Sequence, residues 1–224
     1  MEYHTIIDSN KYPLLHMQLE HGKLRNNLAD IRCLLKLPQK RLPAGCNYTA
    51  ASSLFNLIGG ISICFFDASL QKFNSNSGRG KALRNLLSCY YPWQEEPLSI
   101  SKQQAIDTLY DSVLNPLTHS LGLYRASERN RIYIAKSKLT TKQIAKLENP
   151  ILRPRHLPPT ISDKPPAQYR LFSVELVLNI PSLYWGVNRL LYLLLSDTSQ
   201  SQQSEQFFRD LSSEYHNLST QPSD

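Results

Sequence analysis

Apolar residues set the first outline of the chain. Between Leu14 and Leu37 they fall at Leu24, Leu28, Ile31, Leu34 and Leu35, three and four apart, the spacing that lines one face of an α-helix. "LPQKRLPAG" then supplies two prolines and a glycine as breakers. The same period returns at Leu54, Leu57, Ile58, Ile61 and Phe65, predicting a second helix to about Leu70 with Asn47 and Thr49 as candidate caps. After the turn "NSNSG", a third helix fits "RGKALRNLLSCYY" and is stopped by Pro92. "PLSISKQQAIDTLYDSV" opens a fourth, capped by Ser99 or Ser101.

Beyond Gly122 the period changes. In "RIYIAKSKL", Ile132 and Ile134 alternate with Tyr133 and Ala135 and predict a strand. "LFSVELVLNI" predicts a second, and the two are expected to pair into a small sheet. Between them Thr140 caps a short helix, "TKQIAKLE", and "ILRPRHLPPTISDKPPAQYR", with five prolines, reads as loop or linker. "PSLYWGVNRLLYLLL" returns to helix with Pro181 in its first turn, and the polar end holds one more short helix around Glu205 to Tyr215 before fraying. The expected fold is mainly α, with a small two-stranded β element and a C-terminal helix. Its expected parts are a helical bundle over 1–122, a basic strand and loop extension plus the returning helix over 123–197, and a polar, partly disordered tail over 198–224.

Length and composition agree with one domain, or one domain and an appendage, in 224 residues. Hydrophobic residues at 41% and charged residues at 19% exclude wholesale disorder. The uncharged run Thr49 to Phe66 raises the question of a membrane span, but Ser52, Ser53, Asn56, Gly59, Gly60 and Ser62 dilute it. A second apolar run, Leu183 to Leu195, is interrupted by Arg189. Both read as core helices, and no membrane association is expected. Cys33, Cys46, Cys64 and Cys89 are scattered, with no CxxC pair and no secretory leader ahead of them. That predicts reduced thiols in a cytoplasmic protein, without a disulfide framework or a metal site. Gly78 and Gly80 in "GRGK" lack the rest of a phosphate-loop pattern, so neither nucleotide hydrolysis nor a cofactor is expected.

Charge alters the picture more. The formal net charge is +7, yet Leu123 to Arg170 holds eleven Lys and Arg against three acids, +8, which leaves 14 against 15, or -1, elsewhere. Arg129, Arg131, Lys136, Lys138, Lys142, Arg153 and Arg155 in this segment are candidate RNA contacts, because clustered cations bind phosphate by releasing its counterions. Tyr124, Tyr133, His156 and Tyr169 offer stacking surfaces beside them. A solvated face with no ligand has the same composition, and charge alone does not choose between the two.

The fourth helix carries the candidate chemistry. At α-helical spacing Ile106, Leu109, Tyr110, Val113 and Leu117 form an apolar stripe, and Thr108, Asp111, Ser112, Asn115 and His119 a polar one. Asn115 and His119, four apart, face the same way, with Asp111 or Ser112 one turn earlier. A titratable ring beside an amide and a carboxylate suits proton transfer. Pro116 has no backbone N–H and should kink or restart the helix there.

"LNPLTHSLGL", Leu114 to Leu123, resembles the signature of HEPN-domain proteins, in which Arg, a polar residue, three further residues and His lie on one core helix; the form "RNPLxHxLG" occurs in that family. "SLFNLIGGI" looks like the family's second helix, "GRGKALRNLLSCYYP" like the approach to its site, and "PSLYWGVNRLL" like a helix after the bundle in some relatives. The resemblance covers most of Asn47 to Leu123 and, weakly, Leu171 to Leu195. It implies a four- to five-helix bundle that pairs as a homodimer through the motif helix. In active relatives the composite site cuts RNA without metal: the 2'-hydroxyl attacks the adjacent phosphate, His transfers protons and Arg steadies the phosphorane. Such proteins are often toxins, defence nucleases or RNA processors, so RNA and an antitoxin or other protein are the implied partners. Carried over by position, His119 takes the acid/base role and Asn115 the polar slot, with Asp111 and Ser112 in support.

The Arg position, however, is held by Leu114. Leucine donates nothing to a phosphate, and loss of one such donor commonly costs about a hundred- to a thousandfold in rate. Arg84 on the preceding helix and Arg125, six residues beyond His119, are the candidate substitutes. The expectation is an RNA-directed, HEPN-like protein with catalysis weakened or lost. Two alternatives stay open: an active metal-independent endoribonuclease using His119 and a displaced arginine, and a protein-interaction module with no RNA role.

Overall fold

The computed structural model describes residues 3–37, 46–66, 76–114, 117, 132–164 and 176–219. It is mainly helical, with a small three-stranded sheet. A 3₁₀ turn, Tyr3–Ile6, leads to α1 (Pro13–His21) and α2 (Lys23–Lys36). The single helix expected over Leu14 to Leu37 is two, because Gly22 leaves the helical region at φ -80°, ψ 179°. There the chain passes so close to Gln18 that a Cβ would collide with its carbonyl oxygen. Both halves keep an apolar face, through Leu15 and Leu19 in α1 and Leu24, Leu28, Ile31 and Leu35 in α2, which is why the period alone does not betray the break.

Next come α3 (Asn47–Ile61), prolonged by a π-helical segment, Ser62–Phe66, and α4 (Asn76–Tyr90). Asn47 and Thr49 do not cap α3: the cap position is Cys46, and the Asn47 side chain instead donates to the Ile134 carbonyl at 3.0 Å. Among the described residues Asn47–Phe66 is the one helix long and apolar enough to cross a membrane. Here it packs against α2 and α4 and buries Leu54, Phe55 and Ile58 completely. Cys64 is half-buried, which pushes its thiol up, while Cys33 of α2 is exposed.

After a 3₁₀ turn at Trp93–Glu95, α5 (Lys102–Asp107) starts where expected, with the Ser101 hydroxyl accepting the Gln104 N–H at 3.2 Å. It continues as a π-helical segment, Thr108–Leu114. Strand β1 (Ile132–Ala135) follows, then α6 (Thr141–Leu147), whose start is a full capping box between Thr140 and Gln143. The sheet is completed by β2 (Ile161–Ser162) and β3 (Leu176–Asn179), in the order β1, β3, β2. β1 and β3 pair in parallel from Ile132 opposite Leu176 to Ala135 opposite Asn179, as the expected two-stranded element requires. The third strand corrects that expectation: Ile161 and Ser162, inside the proline-rich segment, pair antiparallel with Leu178 and Val177. Two residues at a sheet edge, with Pro159 before them and Pro165 after, are where prolines are tolerated.

α7 (Ile180–Ser196) fills the centre, with Leu183, Tyr184, Trp185, Val187, Leu190 and Leu191 fully buried. It packs against α3, α4, α6 and the Tyr3–Ile6 turn, so Tyr184 and Trp185 belong to the core. α8 (Thr198–Ser219) is far longer than the short helix expected around Glu205 to Tyr215. Asp197 caps it, accepting the Ser199 N–H at 2.9 Å. Its Phe208 meets Phe65 edge-on with ring centroids 5.6 Å apart, and Glu205 accepts the Leu15 N–H at 2.8 Å. The π-helical Ser62–Phe66 is thereby held between α4 and α8.

Candidate functional site

The helix that leads into the motif does not keep α-helical winding. Over Thr108–Leu114 it follows the wider π pattern, with i→i+5 bonds in place of i→i+4. Pro116, expected to kink or restart the helix, lies outside the described residues. Wider winding redistributes the polar stripe. Thr108 is buried and drops out of it, Asp111 is exposed, and Ser112 is half-buried. Leu109 and Val113 are buried as expected, and Leu114, in the arginine slot, packs its half-buried side chain against the hydrophobic core. Asn115 and His119, together with Arg125, Arg129 and Arg131, lie outside the described residues.

Two of the supporting residues do meet. Arg84 on α4 reaches across to the π-helical continuation of α5, where its Nη2 donates to both Asp111 carboxylate oxygens at 2.8 and 2.7 Å. Its Nε lies 3.7 Å from an Asp107 oxygen, and its guanidinium sits 4.2 Å from the centre of the Tyr110 ring. The two helices can approach here because position 80 is glycine: a Cβ on Gly80 would overlap the Tyr110 hydroxyl. Beside the pair lies a cavity of about 470 Å³, bordered by Lys81, Asn85, Ser88 and Gln103. Arg84 is therefore matched by two carboxylates, a poor starting state for a phosphate clamp.

The basic segment divides into cations that serve the fold and cations that face outward. Lys136 is 3% exposed, donates to the Leu37 carbonyl at 2.5 Å, and has its ammonium pKa lowered by burial. Arg153 donates to the Pro158 carbonyl at 2.8 Å and lies over the Trp185 ring. Lys138, Lys142 and Arg155 are exposed, and so are Lys146 and Lys164. Lys146 is one turn beyond Lys142 on α6, an i, i+4 spacing visible in the sequence that would have added it to the set. The acid that should offset them is turned inward. Glu148 accepts the Tyr184 hydroxyl at 2.6 Å and the Arg32 Nε, so its charge is spent on α2 and α7.

No family model, no curated protein and no solved structure matches this chain. Its own residues have to carry the functional reading.

The proline-rich segment that presents Arg155 and His156 is anchored by a buried carboxylate that no local pattern marks. Glu96 accepts the Thr160 N–H at 2.9 Å, the Thr160 hydroxyl at 2.5 Å and the Tyr91 hydroxyl at 3.2 Å. Burial pushes its carboxyl above the ordinary range, although the bonds from Thr160, the charge of Arg153 and the bond from Tyr91 pull the other way. The arrangement fixes a loop; it has no exposed nucleophile or base of its own.

Proposed function

We propose that this protein is an RNA-directed, HEPN-like helical-bundle protein whose catalysis is weakened or lost. The observation that carries RNA binding is the sorting of charge over residues 132–164: Lys138, Lys142, Lys146, Arg155 and Lys164 are exposed, while Glu148 faces Arg32 and Tyr184, leaving Asp163 as the exposed acid of that stretch. Five exposed cations therefore stand against one exposed acid, and cations of this kind contact phosphates irrespective of sequence. The weakened chemistry follows from Leu114, whose side chain joins the core where the motif has arginine, and from Arg84, whose charge is matched by Asp107 and Asp111. That pairing weighs against Arg84 as the displaced arginine of an active nuclease. His119 remains the proposed acid/base residue with Asn115 in the polar slot beside it, and pairing of two chains through the motif helix, in the cytoplasm, belongs to the same proposal.

The test is twofold. A labelled single-stranded RNA should bind wild type with an affinity that falls steeply between about 50 and 200 mM salt. Incubation with RNA in EDTA should show little cleavage by wild type, gain of cleavage in Leu114→Arg, and none in the double variant Leu114→Arg, His119→Ala. Undetectable or salt-insensitive RNA binding would sink the proposal, and brisk cleavage by wild type that His119→Ala abolishes would replace it with an active nuclease.

A further inference from the structure

A second cavity, of about 480 Å³, opens beyond the carboxyl ends of the parallel strands, past Ala135 of β1 and Asn179 of β3. That is where sheets of parallel strands commonly bind ligands, and the volume lies in the range of roughly 300–1,000 Å³ typical of small-molecule sites. Its walls bring together residues that are far apart in sequence: Tyr133 from β1, Gln143 and Lys146 from α6, His156 and Pro158 from the proline-rich segment, and Pro181 from α7. Two are ring systems that the sequence marked as stacking surfaces, and the structure sets them on one cavity. No carboxylate is among its described lining residues, whereas Lys136, Lys146 and His156 are.

We infer that this cavity takes one base of a single-stranded RNA. The inference rests on the RNA-directed reading above and deepens it by naming where a base would dock. A nucleobase is a flat heteroaromatic ring that needs stacking faces, a few polar groups at its edge and a cation near its phosphate. Tyr133, His156 and the two prolines supply flat faces, Gln143 supplies an amide, and Lys146 supplies the cation. The basic surface does not end at the rim. Lys142 lies one turn from Lys146 on α6, Lys138 follows the β1 end, and Arg155 precedes His156; all three are exposed. A free mononucleotide would leave these cations idle, but the phosphates on either side of a docked base would meet them. That argues for a nucleotide within a chain.

The experiment is a titration of a fluorescein-labelled twelve-nucleotide single-stranded RNA, read by anisotropy, with ultraviolet crosslinks mapped by peptide mass spectrometry. Wild type should bind, and crosslinks should map to Tyr133 or His156. His156→Ala and Tyr133→Ala should each weaken binding about fivefold to a hundredfold, the loss expected for one base–ring stack, while His156→Phe keeps most of it. His156 is exposed, so its alanine variant should keep the wild-type Tm and circular dichroism, which separates lost stacking from lost folding. If wild type binds RNA but both alanine variants bind as well as it does and the crosslinks map elsewhere, the base site is wrong and the RNA reading survives. Equal affinity for AMP or UMP and for the oligonucleotide would also overturn it, in favour of a free nucleotide. Absence of any RNA binding by wild type would remove both.

Discussion

Glu96 offers a test whose size can be worked from its contacts. Its carboxylate is 7% exposed and takes three hydrogen bonds, two from Thr160 and one from Tyr91. In Glu96→Ala the two hydroxyls still have each other, because Tyr91 Oη and Thr160 Oγ1 are hydrogen-bonded directly, but the Thr160 N–H loses its side-chain acceptor. An orphaned buried donor costs about 1–3 kcal/mol, and the space left by the side chain adds to it, for a total of about 2–4 kcal/mol. In a chain of this length that corresponds to a fall in Tm of roughly 5–15 °C. Glu96→Gln should behave differently. Its carbonyl oxygen can accept the Thr160 N–H while its NH₂ donates to the hydroxyls, which accept as readily as they donate. The pH dependence separates the two further. Burial raises the Glu96 pKa in the folded protein, so its contribution to stability is full below the unfolded carboxyl pKa and is lost as pH rises through the folded one. Glutamine has no such loss, so the stability of Glu96→Gln relative to wild type should rise across the acid range and then level off. Urea unfolding followed by tryptophan fluorescence from pH 4 to 8 measures both effects. The reasoning fails if Glu96→Gln is as damaging as Glu96→Ala, or if its advantage shrinks as pH rises.

The other predictions are more local. Gly186→Ala should destabilise by about 1–3 kcal/mol, because the new methyl overlaps the fully buried Tyr91 ring; Gly80→Ala should cost less, since it meets the hydroxyl end of the half-buried Tyr110. Thermal melts of the two variants compare them, and equal losses would contradict the packing argument. Phe208→Ala, which removes the edge-on contact with Phe65, should lower stability by about 2–4 kcal/mol in chemical denaturation, whereas a helix that merely trails from the domain would lose almost nothing. Arg84→Ala should cost no more than about 1 kcal/mol, as expected for a partly exposed ion pair resting on a tyrosine ring. It should also leave RNA affinity within about twofold of wild type, because the charge it removes is already matched by Asp107 and Asp111; a tenfold loss in the binding titration would mean that Arg84 faces phosphate.

Elements whose evidence is periodic or local were legible in the sequence. The apolar rows of α3 and α7, the Ser101 cap, the Thr140 capping box and Pro181 in the first turn of α7 each depend on residues within a few positions of one another. The misses depend on what lies across the fold. Strand β2 has two residues and therefore no period, and it exists because β3 is beside it. The long α8 looked like a polar tail because its buried side includes serines. Ser201 and Ser204 satisfy themselves on the carbonyls of Leu195 and Phe65, so hydroxyls occupy positions where a sequence reading looks for leucine. Of the candidate site, Asp111, Ser112 and Arg84 are described, while Asn115 and His119 lie outside the described residues. Asp111 of the polar stripe and Arg84 of the preceding helix meet across the two elements, a tertiary contact, and Thr108 turns inward within the π-helical segment, which α-helical spacing does not anticipate.

Charge shows most clearly why a count along the chain differs from a surface. Lys136 and Arg153 are cations by sequence and struts by structure, one fastened to the end of α2 at Leu37 and the other to the Pro158 carbonyl. Glu148, an acid by count, joins Arg32 of α2 to Tyr184 of α7. Further ties run the same way: the Leu139 N–H donates to the Leu35 carbonyl at 3.0 Å, and Asn47 of α3 donates to β1. The residues that bear the exposed cations are thus bound at several points to helices more than eighty positions away in sequence. A backbone held in this way has already paid its conformational entropy in folding, so a strand bound as proposed at Lys138, Lys142 and Lys146 would have only their side chains left to order. The three should then behave as one fixed row, and the same argument makes the inward-facing Glu148 as important to the outward face as the lysines themselves.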